Sequence, residues 1–273
     1  MQGKKEVRAK KLVLAASISV TLGAVAAPAM GADDALVDKL YEKGVLTEQE
    51  YTELKGAEDR NKMTGSIGEG GVEWKSKDGQ SSIQLHGRVQ FDYLSSDLLQ
   101  STDGFELRRA YLGVKGKLYG NWTYELTGDF AQMRAEYAYL DYKWSDALQA
   151  RAGLFKFPYG FSQLTSSRFT DFMERSFTDD FEPGKDAGIA IYGQPEKNVL
   201  SYAVGYANGG DGRQNGPDTD KKDIIARGAV NFAPMVDFDK GVLHLGVDWR
   251  DGAFDVGGTE FDRTANGLEV VAA

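Results

Sequence analysis

Residues 83–93 read Ile-Gln-Leu-His-Gly-Arg-Val-Gln-Phe-Asp-Tyr, an apolar/polar alternation as long as a membrane-crossing strand. Successive side chains on a strand point to opposite faces. Ile83, Leu85, Val89, Phe91 and Tyr93 therefore share one wall, and Gln84, His86, Arg88, Gln90 and Asp92 share the other. The second wall is too polar for a protein core but suits the lining of a water-filled tube. Similar segments follow at 105–118, 121–130, 137–144, 148–157, 187–192, 200–207, 223–232 and 242–250, which makes nine candidate strands in all. Aromatics such as Trp122, Tyr124 and Trp144 sit near segment ends, where a membrane barrel carries its interfacial girdle. A soluble β-sandwich also alternates, but it turns its apolar face inward. Here the polar face mixes opposite charges with small residues, and the apolar face carries large aromatics. The expected fold is an all-β, antiparallel transmembrane β-barrel with a wet lumen.

The front of the chain has the zones of an export signal over residues 1–29. Lys4, Lys5, Arg8, Lys10 and Lys11 form a basic start, residues 12–27 are apolar, and Ala27-Pro28-Ala29 offers a cleavage site. A second cut after Ala32 is an alternative. Ser17, Ser19, Thr21, Gly23 and Pro28 interrupt the run and argue against a helical anchor. Cleavage would move the formal charge from −9 to −13, a balance with no general affinity for nucleic acid. No later apolar run approaches the ~20 residues of a spanning helix. Cysteine is absent, which removes disulfides, thiolate nucleophiles and Cys-based metal sites.

Residues 30–62 break the two-residue period. Leu36, Val37, Leu40 and Tyr41 fall on a helical stripe, and Gly44 is placed to end that helix. Thr47 and Glu50 form a capping-box pattern that starts a second helix with Tyr51 and Leu54 on its edge. Such a short periplasmic hairpin needs a partner surface, a plug or a contact between subunits being one reading and a loose tail the other. Residues 63–81 read as a flexible lead-in, and 82–273 as barrel wall. Two connections exceed a turn. Residues 160–184 are acidic and aromatic and are suited to fold inward and narrow the lumen. Residues 208–222 are turn-rich and read as a solvated external loop.

Several stretches together, in this order and spacing, resemble the phosphate-selective porin O and P family. They are GRVQFDY at 87–93, FELRRAYLGVKG at 105–116, TYELTGDF at 123–130, AYLDYKW at 138–144, GLFKFPYGF at 153–161, SSRFTDFMERS at 166–176 and YANGGDG at 206–212. The resemblance implies a trimeric bacterial outer-membrane channel of sixteen strands per subunit, placed in lipid by the barrel-assembly machinery and passing small inorganic anions without a cofactor or metal. It also implies residue roles. Arg88 in GRVQ and Arg108 and Arg109 in FELRR match arginine-ladder positions, and Lys156 in GLFKFP matches the constriction lysine. Arg168 in SSRF matches the arginine of the inward loop, and Asp129 in GDF a carboxylate beside the binding zone. Guanidinium forks suit oxyanions, and fixed cations lower the barrier to anion entry. Parity raises two conflicts. Arg108 faces the wrong way in an unbulged strand, and so does Lys156 if Arg151 points inward; a bulge, with Gly153 as the candidate position, would reconcile them.

The inward-loop stretch sets Asp171, Glu174, Asp179, Asp180 and Glu182 against Arg168, Arg175 and Lys185. That balance keeps a general or weakly cation-selective porin as the alternative to phosphate or polyphosphate selectivity. Nine strands fall short of sixteen, and single-chain barrels are even-stranded and closed. The expectation is an N-terminal portion interrupted in or before a tenth strand, with a smaller closed barrel as the alternative. A barrel enzyme or a surface adhesin is the reading from another class. His86 and His244 are the only histidines, and neither belongs to H-E-x-x-H, nor is a G-x-S-x-G or S-x-x-K motif present.

Overall fold

The computed structural model describes residues 34–61, 63–68, 70–94, 104–166, 182–209, 219–236 and 243–272. The export-signal residues 1–29 and Arg168 lie outside the described residues. The chain divides into two units, residues 1–61 and 62–273.

The first unit is a pair of helices, α1 (Asp34–Glu42) and α2 (Glu48–Asn61). Gly44 takes φ +69 after α1, and the Val45 N–H returns to the Leu40 carbonyl at 3.0 Å, which closes the helix as expected. The capping box is made in full. The Glu50 N–H donates to Thr47 Oγ1 at 3.3 Å, and Glu50 Oε2 accepts the Thr47 N–H at 2.9 Å. Hydrogen bonds donated by the Thr47 N–H at 2.9 Å and the Thr47 hydroxyl at 2.7 Å hold the Glu50 carboxyl below its ordinary pKa. Tyr41 and Tyr51 stack across the hairpin with ring centroids 4.3 Å apart, and the Tyr51 hydroxyl donates to Asp38 at 2.9 Å.

The second unit is one twelve-stranded antiparallel meander, each strand paired with the next in sequence. Its strands are β1 (Met63–Gly68), β2 (Gly71–Ser76), β3 (Ser82–Leu94), β4 (Gly104–Leu118), β5 (Trp122–Asp129) and β6 (Arg134–Ser145). They continue with β7 (Leu148–Lys156), β8 (Lys185–Glu196), β9 (Leu200–Ala207), β10 (Asp223–Asn231), β11 (Leu243–Val256) and β12 (Thr259–Ala272). A four-residue helix, α3 (Phe161–Leu164), follows β7. The turns at 77–81, 119–121, 146–147 and 197–199 share one end of the meander. The longer connection 232–242 lies at that end too, while 95–103, 157–184 and 208–222 share the other end with the short turns 130–133 and 257–258.

Twelve strands replace the expected nine, and two stretches account for most of the difference. Residues 63–76 form the β1–β2 hairpin rather than a flexible lead-in, with Met63 opposite Ser76 and Gly68 opposite Gly71. The chain also passes through a full final hairpin, β11–β12, where an interruption near a tenth strand was expected. Gly257 and Gly258 make its two-residue turn at φ +61 and +87, a backbone that matches the sheet twist and favours glycine at both positions.

The two walls are inverted relative to a soluble fold. Leu85, Val89, Phe91, Leu126, Ile189, Val204, Val247 and Leu268 are exposed, Val89 to 75%. On the opposite wall Thr127, Asp129, Asp141, Asp223, Asp248, Arg250 and Glu269 are buried. Such a surface suits hydrocarbon, where backbone groups must be satisfied within the protein and paired strands of a barrel do so.

Bulges decide which charges face inward. On β3 and β4, Gln90 pairs with Arg109 and Phe91 with Leu107, so Arg108 is the extra residue and turns toward the polar wall with Arg109. The parity conflict at Arg108 is thereby resolved. Glu136 is a second extra residue, since Thr127 pairs with Tyr137 and Gly128 with Ala135. Gly153 is not a bulge, because the register runs through it unbroken from Tyr139 on one side to Gly188 on the other. It is glycine for another reason: at φ +127 a Cβ would lie 2.2 Å from the Ala138 carbonyl oxygen.

Two outcomes follow from this architecture. Val89→Arg should cost about 2 kcal/mol or more of barrel stability in lipid, read by urea titration in vesicles; on a water-facing wall it would be close to neutral. The Glu50 cap contributes to helix stability above the ordinary glutamate pKa and loses that contribution as pH falls through the lowered value. Helicity of the 34–61 hairpin should therefore fall on acidification below about pH 4, and Glu50→Gln should flatten that dependence.

Candidate functional site

The inward wall of β3 and β4 gathers the first group of cations. Arg88 and Arg109 both donate to the neutral amide oxygen Gln90 Oε1, at 3.1 and 2.7 Å. Arg108, rotated inward by its bulge, lies 3.3 Å from Asp92 Oδ2. The Arg88 guanidinium also rests 5.4 Å from the centre of the Tyr111 ring. The sheet register thus brings the three arginines singled out from the sequence onto one patch near the long-loop end.

Asp129 lies one strand over, opposite Tyr111. Its Oδ1 accepts the N–H groups of Ala110 at 3.1 Å and Ala131 at 3.0 Å. A buried carboxylate bound in this way fastens the end of β5 to β4. Beside it stands a group that sequence reasoning missed. The bulged carboxylate Glu136 is buried between Arg134, whose Nε lies 2.9 Å from Oε1, and Lys185, whose ammonium pairs with Oε2. The Lys185 ammonium lies 4.8 Å from the Tyr137 ring centre and within electrostatic range of Arg109, Arg134 and Asp129. Its signal in the sequence was the alternating run Asp186-Ala-Gly-Ile-Ala-Ile-Tyr, whose strand starts two residues earlier than expected.

Lys156 ends β7 directly opposite Lys185. Arg151 does point inward, donating to Asp141 Oδ2 at 2.8 Å and to the Tyr192 hydroxyl at 3.1 Å, so Lys156 falls on the other parity. Because the strand stops there, its Nζ turns to the Gln163 carbonyl at 2.5 Å, within the connection that follows. Lys156 is thus apart from the arginine patch.

Further along the sheet, cations stand in carboxylate pairs. Arg227 contacts Asp248 at 3.4 Å and Glu269 at 2.7 Å, and His244 Nε2 lies 2.8 Å from Glu269. Arg250 and Arg263 share Asp223 at 2.5 and 3.0 Å. His86 meets Thr127 Oγ1 at 3.4 Å, and Thr127 donates to Glu125 at 3.0 Å. These pairs lock neighbouring strands together and cancel charge locally. Among the described residues no cluster of His, Asp and Glu could hold a metal ion.

A sheet with a greasy outer wall, a charged inner wall and long connections at one end defines an outer-membrane porin-type β-barrel. The family model "Phosphate-selective porin O and P" matches residues 83–262, and the chain belongs to that family, one of channels and not of enzymes. Porin O of Pseudomonas aeruginosa is 26% identical over 206 residues, covering 68% of this chain and 46% of that protein. The chain thus spans about half the length of that relative.

The wall pairs should govern stability and leave the arginine patch free to tune conduction. Asp223→Ala strands Arg250, 2% exposed, beside Arg263, and should cost about 3–5 kcal/mol in urea unfolding monitored by gel mobility. Arg109→Gln should shift the same midpoint by less than about 1 kcal/mol.

Proposed function

We propose that this protein forms the wall of an outer-membrane porin through which small anions, inorganic phosphate foremost, diffuse passively. The observation that carries the reading is the distribution of partners along the inner wall. Arg109 bonds to a neutral amide, and Arg134 and Lys185 flank the buried carboxylate Glu136, whereas the cations of β10, β11 and β12 are matched by Asp and Glu. A band of cations therefore runs from β4 to Lys156 at the end of β7, with Asp92, Asp129 and Glu136 interspersed, where a solute entering from outside meets it. Guanidinium and ammonium donors there offer an oxyanion several weak sites in series, the condition for passage rather than capture. The connection after β7 narrows the path, and Asp129, held by backbone N–H groups, weakens anion binding near the band.

Export through a cleaved segment at residues 1–29 rests on the sequence pattern there, and assembly by the barrel-assembly machinery and a homotrimeric state rest on the family; all belong to the same proposal. The hairpin of α1 and α2 is placed on the periplasmic side. A general or weakly cation-selective porin is the second reading, favoured by the buried carboxylates Asp141, Asp223, Asp248 and Glu269 on the same wall.

Reversal potentials across a planar bilayer in a salt gradient separate the two. Wild-type protein should prefer anions, and Arg88→Gln with Arg109→Gln should lower the anion-to-cation permeability ratio by about 3-fold or more. A cation-preferring wild type would eliminate the phosphate reading.

A further inference from the structure

The middle inner positions of β8 and β9 are unlike the rest of the wall. Between Asp186 and Tyr192 of β8 and along β9, Gly188, Ala190, Ala203, Gly205 and Ala207 make a bare shelf. The chain leaving β7 covers that shelf. Phe157 is fully buried, stacks on Phe155 with centroids 4.5 Å apart, and donates its N–H to the Gly184 carbonyl at 3.0 Å. Its ring lies directly on the two glycines. A Cβ on Gly188 would come within 2.9 Å of the ring, and one on Gly205 within 2.7 Å.

Past Phe157 the segment continues across the same face. Gly160, at φ +71, lies against the Glu182 carboxylate, which a Cβ at this position would meet at 2.1 Å. Glu182 Oε2 in turn accepts the Gln163 N–H at 3.0 Å. The Phe161 ring then reaches His244 on β11, four strands from β7, with centroids 5.5 Å apart. Lys156 Nζ is bonded to the Gln163 carbonyl, so wherever this segment sits, the Lys156 charge is carried with it.

We propose that residues 157–163 are a fixed strap, and that the seat of Phe157 on Gly188 and Gly205 sets both the calibre of the channel and the position of the Lys156 charge. Phe157, Gly188 and Gly205 are positioning residues; none of them touches the solute. A side chain at Gly205 would lift the ring off the wall, and one at Gly188 would meet both the ring and, at 2.2 Å, the Tyr206 carbonyl oxygen. This inference rests on the porin reading above.

Single-channel recordings of the full chain test it, with folding checked by heat-modifiable gel mobility. Phe157→Ala and Gly205→Val should each raise conductance by at least about two-fold and lower anion preference. Lys156→Gln should lower anion preference without raising conductance. Phe157→Ala adds no bulk and carries the test if Gly205→Val fails to assemble. Folded Phe157→Ala protein with wild-type conductance and selectivity overturns the seat while leaving the porin reading standing. A wild type that conducts nothing overturns the porin reading, and the seat with it.

Discussion

Hydrocarbon offers a peptide group no hydrogen-bonding partner, and most of this architecture answers to that constraint. Strands β2 to β11 are paired on both sides, which satisfies their backbone groups and leaves the outward side chains free to be largely apolar. Val89, Phe91, Ile189 and Val247 then face outward, an arrangement that water would penalise by roughly 25 cal/mol for each Å² of apolar surface left exposed. The same pleat sends every alternate residue to the other wall, so a greasy outside obliges a polar inside. Charge on the inner wall is thus a consequence of the fold before it is a device for transport.

That obligation shapes the electrostatics. A carboxylate or guanidinium on a crowded wall is costly unless matched, and Arg250 with Asp223, or Arg227 with Asp248 and Glu269, supply the match across neighbouring strands. Two bulges add charge where the strict alternation would not. One turns Arg108 inward beside Arg109 and onto Asp92, and the other sets Glu136 between Arg134 and Lys185. The shelf of Gly and Ala on β8 and β9 carries small side chains only, and the Phe157 ring lies against it.

The long strands were legible from the sequence because their alternation is strong and their turns are polar. The β1–β2 hairpin was not, since Gly65, Ser66 and Gly68 carry no alternating pattern and its stability comes from pairing onto β3. The β11–β12 hairpin had a readable signal, Gly257-Gly258 between apolar flanks, that was passed over. Arg108 announced its bulge only as a parity conflict, and the Lys156 conflict had a different answer, the end of its strand. The wall pairs were invisible for a plainer reason. Arg227 and Glu269 stand 42 residues apart, and only the register of β10, β11 and β12 brings them together.

The central claim is that one wall of this sheet meets lipid and the other meets water. The chain contains no cysteine, so single cysteines placed through residues 83–93 can carry spin labels with no background. In reconstituted vesicles, collision with oxygen should peak at Leu85, Val89 and Phe91, and collision with a water-soluble nickel chelate at Gln84, Arg88 and Gln90, the two profiles alternating out of phase. Profiles that rise and fall together, or a chelate signal strongest at Val89, would contradict the account.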